Sequence, residues 1–554
     1  MRRTALVVVV AACGGGGHEP PPPTGPITAH VTHYDYTIDL ASRAAHATVT
    51  AAIDTGGDCW TVPLRAQAPA NVMLDGVAAS ASAANDQLVV CGTGYPDGDT
   101  LVLDADVTIA DATLDQSQVG FSTRNDKQGN PFTYLVSWVD GCDQFAPCDN
   151  RPDAFATYHF DVTHDPSLTV RCPGTIREDS PSETECDVGF DGAPTYSTFG
   201  IAAFPAWTQT DLGTWGGVHV TLYDNAATGI AAQIVPAYHD GYLAWLESEF
   251  GPYPYGSELR LLTAPTYWNG FEHPGNIVLN DTLATQTTKM SGYTNTTEHV
   301  IDHEMTHMWA GDQTTLSGTY DFAWKESMAE YLAYVWEDMQ DPTVGTQTAQ
   351  AWKTFGTTSA YWPVPTDSPQ LIDYYSDVYG PGPMVLFRQL EVMSSRAAVL
   401  SAIQSVLGHP HFLSVDDLLA ALQQATGIDL TAYKQAWIAG SGAPAWPRLD
   451  LTFTAGSGAT STLAIVETNP AATPRTCKFH VALLGDTTDE VETVAVDATA
   501  GITQTLQVPT PAFTVTSIFL DPQRECLVYP DTVTARQRPR IEPWVADPER
   551  DLAQ

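Results

Sequence analysis

The spacing of hydrophobic residues divides the chain into three regions. In residues 28–215, hydrophobic and polar residues alternate in short segments such as 34–40, 48–53 and 101–107, with Gly, Asp and Pro between them. A two-residue period bounded by turn residues is typical of strands with one buried face. We therefore predict an N-terminal antiparallel β domain over 28–215.

The middle region, residues 216–447, changes to the spacing of helices. Strand-like segments remain only at 218–223 and 259–264. Helical spacing is found at 230–250, 296–311, 324–338, 383–393, 397–407, 415–425 and 430–439. Ser414 and Asp429 stand where helix N-caps belong. This pattern predicts a mixed, mostly helical domain.

Alternation returns in residues 448–533. The segments are 449–454, 461–467, 478–484, 491–496, 503–508 and 515–520. Short strands at regular spacing predict a small β-sandwich. A charged, Pro-containing tail follows at 534–554. The chain of 554 residues is therefore predicted to be a multidomain α+β protein.

The first residues resemble an export signal. Residues 1–3 carry positive charge, 4–12 are apolar, and Cys13 follows small residues, as in a bacterial lipoprotein signal whose cysteine is acylated. A Gly/Pro tether follows at 14–27. We expect an exported protein, either a lipoprotein anchored to a membrane only through Cys13 or a periplasmic or extracellular protein. A misread start codon or an uncleaved tail is the alternative.

The cysteine count agrees with export. The chain has nine cysteines, and eight remain without Cys13. Eight cysteines allow 105 pairings, so we choose pairs only by proximity along the chain. The choices are Cys142/Cys148, Cys172/Cys186, Cys59/Cys91 and Cys477/Cys526. Paired cysteines favour an oxidising compartment.

The charge of the chain excludes one class of partner. Lys and Arg number 24 and Asp and Glu number 65, which gives a net charge of −41 at pH 7. Such a surface repels a phosphate backbone, and no basic stripe is present, so we expect no nucleic-acid partner. No apolar run reaches the roughly 18 residues that a membrane helix needs.

One short motif carries the chemistry. Residues 303–307 read His-Glu-Met-Thr-His, and Glu326 follows after eighteen intervening residues. Histidines at i and i+4 share one face of a helix, so His303 and His307 can bind one metal ion beside Glu304. Two neutral histidines and one carboxylate leave a positive charge and an open coordination position, which is typical of a catalytic zinc site. The alternative is that Glu326 is only a helix-surface acid.

Two further segments make a family resemblance specific. Residues 269–275 read Asn-Gly-Phe-Glu-His-Pro-Gly, and Tyr379 precedes the turn Gly-Pro-Gly. With the 303–307 motif and Glu326, they resemble the zinc aminopeptidases of the aminopeptidase N family, which includes leukotriene hydrolase. The resemblance covers roughly residues 30–450. It implies a thermolysin-like catalytic domain over 216–447 with one Zn²⁺ per chain, held by His303, His307 and Glu326.

The resemblance also implies the roles of other residues. Zinc activates a water molecule, and Glu304 takes its proton and delivers it to the leaving amine. Tyr379 stabilises the oxyanion together with zinc. Glu272 pairs with the free α-ammonium of a peptide, so the substrates are peptides with a free N-terminus. Gly270, Phe271 and His273 complete the substrate-binding segment.

The chain departs from the family in several places. Phe271 stands where methionine is usual, and Pro381 replaces a lysine of the turn. The glutamine that helps to hold the substrate amine has no counterpart near residues 135–138, and the large helical C-terminal domain is absent.

Several single residues have an alternative role that is structural rather than functional. Tyr379 competes with Tyr374 and Tyr375 for its role, and Glu272 is alternatively an ordinary loop acid. We expect His299 to lie behind the metal ligands or to face solvent. Lys325 is expected to face solvent.

These features favour a zinc-dependent aminopeptidase. A thermolysin-type zinc endopeptidase has the same metal chemistry but lacks the amine anchor that Glu272 supplies. A non-catalytic surface-binding lipoprotein would be expected to lose Glu304 or a metal ligand, and none is lost. Epoxide hydrolysis needs pocket groups that the sequence does not reveal.

Overall fold

The computed structural model describes residues 23–112, 120–190, 192–196, 200–225, 227–286 and 296–531. Cys13, the predicted signal at 1–13, the first part of the tether and the predicted tail at 534–554 lie outside these residues. The domain boundaries at 215/216 and 447/448 stay predictions.

The N-terminal region is built from strands. They are β1 (Pro26–Asp39), β2 (Ala44–Thr55), β3 (Gly57–Pro63), β4 (Gln67–Leu74), β5 (Val77–Ala78), β6 (Ser80–Ala84), β7 (Gln87–Tyr95), β8 (Thr100–Thr108), β9 (Gly120–Asn125), β10 (Pro131–Val136), β11 (Thr157–Thr163), β12 (Thr169–Arg171), β13 (Thr175–Ser180), β14 (Glu183–Val188) and β15 (Gly200–Phe204). On β2, Ala45, Val49 and Ile53 share the buried face, as the alternation predicts.

These strands form a large sheet and a small one. The main path of the large sheet runs β13-β14-β11-β1-β2-β8-β4-β5, and β3, β7 and β6 branch from β1. The small sheet has the order β12-β15-β10-β9. Most neighbours are antiparallel, but β1 pairs with β11 and with β3 in parallel. Alternation gives the period of a strand but not the direction of its partner, so the sequence did not reveal these parallel pairs.

A mixed sheet opens the predicted catalytic region. Its strands are β16 (Thr208–Trp215), β17 (Val218–Asp224), β18 (Glu258–Ala264), β19 (Gly270–His273) and β20 (Asn276–Asn280), in the order β16-β17-β18-β20-β19. The edge strand β19 is antiparallel to β20, with Glu272 opposite Ile277. Because β19 contacts helix α2 (Thr296–His307), the 269–275 segment lies beside the 303–307 motif.

The rest of this region is mainly helical. They are α1 (Pro236–Phe250), α3 (Phe322–Gln340), α4 (Pro342–Gly356), α5 (Leu371–Val378), α6 (Pro381–Pro383), α7 (Gln389–Met393), α8 (Arg396–Val406), α9 (Val415–Thr426) and α10 (Leu430–Tyr433). Two π-helical turns, Met384–Arg388 and Lys434–Ile438, continue α6 and α10. Short strands β21 (Thr314–Leu316), β22 (Val364–Pro365), β23 (His411–Leu413) and β24 (Ala439–Gly440) form two small pairs, β21-β23 and β22-β24. Helices α4 and α5 were not predicted.

The C-terminal region has two sheets, as predicted for a sandwich. Its strands are β25 (Arg448–Thr454), β26 (Thr460–Glu467), β27 (Lys478–Leu484), β28 (Val491–Asp497), β29 (Gln504–Pro509), β30 (Ser517–Leu520) and β31 (Tyr529–Pro530). The sheet orders are β29-β26-β25-β31 and β28-β27-β30. Lys353 on α4 forms a buried 2.6 Å ion pair with Asp521, so this region is fixed to the predicted catalytic region.

The four predicted disulfides are all present. They join Cys59 to Cys91, Cys142 to Cys148, Cys172 to Cys186 and Cys477 to Cys526. No helix of the described residues has the length and apolar character needed to cross a membrane.

Candidate metal centre

Helices α2 and α3 bring the three predicted ligands together. His303 and His307 lie one turn apart on α2, and their Nε2 atoms are 3.0 Å from each other. Glu326 on α3 places Oε2 3.2 Å from His303 Nε2 and 3.5 Å from His307 Nε2. All three residues are buried. The reading of Glu326 as a helix-surface acid is therefore wrong.

The protonation of His307 fits a bound cation. His307 Nδ1 lies 3.0 Å from the carbonyl oxygen of Ala310, so Nδ1 carries the hydrogen and Nε2 presents a lone pair. Burial lowers the pKa of His307, and Lys325 lowers it further, which favours this neutral form. A histidine lone pair and a carboxylate oxygen facing each other at 3.5 Å repel unless a positive ion lies between them. The donor set of His303, His307 and Glu326 therefore suits zinc.

A second layer of buried polar groups lies behind His303. His303 Nδ1 is 3.2 Å from Oε1 of Glu330, and His299 Nε2 is 3.2 Å from the same oxygen. His299 Nδ1 in turn lies 2.7 Å from Glu337 Oε1. His299 is thus buried behind the ligands, which was one of its two predicted places. Such outer contacts fix the ring orientation of a metal ligand.

Helix α2 is also fixed on its far side by α1. Asp302 lies 2.8 Å from His239 Nδ1, and neither side chain is exposed. Tyr242 forms a hydrogen bond with Thr306. Two polar contacts on one helix face restrict its rotation, so the 303–307 motif has a defined orientation.

Glu304 lies close to the backbone of the 269–275 segment. A Cβ built on Gly270 would come within 2.2 Å of Oε1 of Glu304. Any side chain at residue 270 would therefore displace this carboxylate. The glycine of the motif is thus required by the close approach of Glu304 to β19.

Glu272 and Lys325 form a pair that the sequence did not predict. Lys325 Nζ lies 2.5 Å from Glu272 Oε1 and 2.8 Å from Glu326 Oε1. Lys325 is fully buried, so its expected exposure to solvent is wrong. Lys325, the residue before Glu326, is buried because α3 is covered on nearly every face.

Buried charge controls the protonation of the acids. Burial raises the pKa of Glu304 to about 8, an effect to which Glu272 and Glu326 add and which His303 opposes. Burial also raises the pKa of Asp312 well above its usual value, and the charge of Glu272 adds to this shift. Burial favours a raised pKa for Glu272 too, but Lys325 and His307 together outweigh it and hold that pKa below its usual value. Glu272 is therefore ionised at neutral pH, as is Glu326, whose pKa Lys325 also holds well below its usual value.

Tyrosine 379 lies beside the metal ligands. Its ring is 5.6 Å from that of His303, and its hydroxyl forms a hydrogen bond with Tyr375. Tyr374 instead contacts the rings of Tyr320 and Phe322. Tyr375 and Tyr379 are one helical turn apart, which is the only signal by which the sequence could have added Tyr375.

A small cavity joins these groups. It is lined by Trp138, Trp268, Gly270, Phe271, Glu272, Glu304, His307, Glu326, Tyr375 and Tyr379. Trp138 stands in the segment where no glutamine could be placed, and its ring contacts those of Phe322 and Tyr375. His273 does not line the cavity, since its ring packs where a side chain on Gly200 would lie. Burial lowers its pKa to about 4, so it is neutral.

The arrangement combines three chemical capabilities. Three donor atoms can hold a metal ion, a buried carboxylate beside them can exchange a proton, and a second carboxylate can bind a cation. The phenolic hydroxyl of Tyr379 can donate a hydrogen bond next to them. All of these groups except His303 line one cavity.

Part of the chain matches a known family. Residues 238–437 match the Peptidase family M1 domain. Aminopeptidase N of Streptomyces lividans is 24% identical over 216 residues, which are 36% of this chain and 25% of that protein. The match thus spans about a quarter of that relative's length.

Solved structures share the fold. Legionella pneumophila aminopeptidase A, in complex with aspartic acid, gives a TM-score of 0.71 at 15% identity, over 91% of this chain and 60% of that chain. A mutant M1 zinc metallopeptidase from Deinococcus radiodurans, bound to a Tyr-Ser-Ala substrate, gives 0.61 at 20% identity, over 75% of this chain and 96% of that chain. At these identities the likeness concerns the fold, including the order of β domain and helical domain.

Proposed function

We propose that this chain belongs to the M1 peptidase family and that it is a zinc-dependent aminopeptidase. It removes N-terminal residues from peptides that carry a free α-ammonium. The family resemblance inferred from the 303–307 motif and Glu326 is confirmed.

One observation carries this proposal. Glu272, Glu304 and His307 each offer a ligand atom, and these atoms lie within 4.8 Å of one another. An anion one residue's length from the hydrolytic centre favours a substrate whose ammonium lies there. A blocked or internal amide has no charge to pair with Glu272. The endopeptidase alternative gives Glu272 no role in substrate binding.

Each side chain of the site has one role in the reaction. His303, His307 and Glu326 would hold zinc, which when bound would polarise the scissile carbonyl and acidify a water molecule. Glu304 accepts a proton from the attacking water and passes it to the leaving amine. Tyr379 donates a hydrogen bond to the oxygen that becomes negative. Glu272 orients the substrate through its ammonium.

The decisive assay compares free and blocked substrates. A panel of chromogenic aminoacyl amides, each free and N-acetylated, is tested with and without a chelator. We expect hydrolysis of the free amides only, and loss of that hydrolysis with chelator. Equal cleavage of acetylated and free substrates would establish the endopeptidase reading instead.

Glu272→Gln tests the anchor within the same panel. A charge-assisted hydrogen bond contributes about 1.5–3 kcal/mol, so kcat/KM on free amides should fall roughly 10- to 150-fold. Any activity on acetylated amides should change far less. Equal losses on both substrates would contradict the role of Glu272 as an amine anchor.

We also propose that the protein is exported and lipidated at Cys13. The four disulfides support an oxidising compartment. Expression of the full chain in a bacterium with a clickable fatty acid should label it, and Cys13→Ser should abolish the label. Labelling that persists in Cys13→Ser would overturn this assignment.

A further inference from the structure

The feature that no assigned role explains is the buried Lys325. It stands directly before a metal ligand on α3, and no part of its side chain reaches solvent. Burying an ammonium costs several kcal/mol unless it is paired. The partners of Lys325 therefore show what the residue is for.

The ammonium of Lys325 contacts one oxygen of each of two carboxylates. It lies 2.8 Å from Oε1 of Glu326 and 2.5 Å from Oε1 of Glu272. The other oxygen of Glu326, Oε2, is the one that faces His303 and His307. Lys325 therefore occupies one oxygen of Glu326 and leaves a single oxygen for the metal.

The stem of Lys325 is held as firmly as its charge. Its Nζ lies 5.6 Å from the centre of the Phe322 ring. A Cβ on Gly311 would come within 2.8 Å of Lys325 Cε, so the backbone of residue 311 already lies against the stem. A side chain enclosed in this way has little freedom to move, and it therefore constrains both carboxylates that it contacts.

We propose that Lys325 is a positioning residue that couples the metal site to the amine anchor. One ammonium fixes the metal-facing oxygen of Glu326 and orients Glu272 toward the substrate ammonium. This inference rests on the proposed aminopeptidase function for its substrate half. Its metal half is independent of that function.

The zinc affinity of a Lys325 variant shows whether Lys325 positions Glu326 or acts only as a nearby positive charge. Lys325→Met should weaken zinc binding about 10- to 100-fold, as loss of an outer partner of a ligand does. If Lys325 acted only as a nearby positive charge, its removal would lessen repulsion and tighten zinc binding. Competition with a chromogenic zinc chelator measures the difference. Unchanged or tighter binding overturns the proposal.

A double-mutant cycle tests the link to Glu272. At saturating zinc, Lys325→Met should raise KM for a free aminoacyl amide about 2- to 100-fold, with a smaller change in kcat. In a Glu272→Gln background the same substitution should change KM less than about twofold. Additive effects in the two backgrounds overturn the coupling.

Two further variants serve as a control and as a replacement for Lys325→Met. Lys353→Met removes another buried lysine, the partner of Asp521, and should lower the melting temperature while leaving zinc affinity unchanged. Equal zinc loss in Lys353→Met would show a general effect of destabilisation and overturn the proposal.

If Lys325→Met fails to fold, Lys325→Gln retains a donor without a buried charge and should weaken zinc binding in the same direction. If the wild type cleaves no free aminoacyl amide, the proposed function fails while the zinc measurement still decides the role of Lys325.

Discussion

At the scale of residues, the candidate site depends on a balance of buried charge. Glu272, Glu304, Glu326 and Asp312 are all buried near one another, and Lys325 is the cation placed between two of them. Burial alone would protonate such acids, and the cation keeps Glu272 ionised. Substitutions that alter charge but not shape are therefore the most informative here.

Glu304→Gln removes the proton acceptor and keeps the shape of the side chain. We expect kcat to fall by about 10² to 10⁴ with zinc retained, because general base catalysis contributes about that factor. Steady-state kinetics together with elemental analysis of the purified variant checks both parts. Glu298→Gln, on the same helix but outside the cavity, is the matched control. Near-normal turnover in Glu304→Gln would contradict the mechanism.

Glu326→Ala removes the only charged donor of the metal set. The variant should bind zinc more weakly, since two neutral histidines remain and the His303 and His307 rings lose a partner at 3.2 and 3.5 Å. Elemental analysis after dialysis against a mild chelator measures the occupancy. Full zinc occupancy after that dialysis would show that Glu326 is not a ligand.

At the scale of elements, caps and packing decide where helices begin. Ser414 was predicted as an N-cap, and it begins α9 with a capping box in which Ser414 and Asp417 bond each other's backbone N–H. Helix α4 carries a similar signal, since Asp341 accepts a hydrogen bond from Thr343 N and Pro342 follows it. The prediction overlooked α4 because its threonines and Gly345 lower helix propensity.

Helix α4 is stabilised by packing rather than by its intrinsic helix propensity. Trp352 is fully buried, and its Nε1 donates a hydrogen bond to Glu330 Oε2 at 2.7 Å. This contact links α4 to the polar layer behind His303. A helix that is weak by itself is thus stabilised by the site that it supports.

Ser414→Ala tests the capping box. Loss of a Ser N-cap costs about 1 kcal/mol of unfolding free energy, with a range of about 0.5–2. Thermal or denaturant unfolding measures this loss, and peptidase activity at 25 °C should not change. Ser441→Ala, at an exposed loop position, should leave the stability within about 0.5 kcal/mol of the wild type. Equal stability of Ser414→Ala and wild type would show that α9 does not depend on this cap.

At the scale of the whole molecule, the C-terminal sandwich is joined to the catalytic region through buried polar contacts. Asp521 accepts the Lys353 ammonium at 2.6 Å and also the backbone N–H groups of Glu525 and Cys526. Leu527 donates its backbone N–H to Gln389 at 2.8 Å. The two regions therefore share one set of satisfied polar groups.

Asp521→Asn leaves the Lys353 ammonium buried without a charged partner. Breaking one side of a buried ion pair costs about 3–5 kcal/mol, so the melting temperature should fall clearly. Calorimetry measures the change, with exposed Asp489→Asn as the control. A melting temperature equal to that of the control would show that the pair does not hold the regions together.

The sequence by itself determined the features that depend on local spacing. The six predicted strands of the sandwich agree with the observed ones within two residues at each end, because alternation of buried side chains marks a strand directly. The i and i+4 spacing placed His303 and His307 on one face, and they do meet Glu326. The fold class and the resemblance to the zinc aminopeptidases followed from the same local signals.

Only the tertiary structure decided the surroundings of these ligands. The pairing of Lys325 with Glu272, the ring of Trp138 in the cavity and the parallel pairing of β1 with β11 each join residues far apart in the chain. Next to a motif glutamate, a lysine looks like a surface residue, because sequence spacing says nothing about what covers that turn of the helix. Burial there is a property of the packed α3, and burial is what turns Lys325 from a solvated charge into a constraint on two carboxylates.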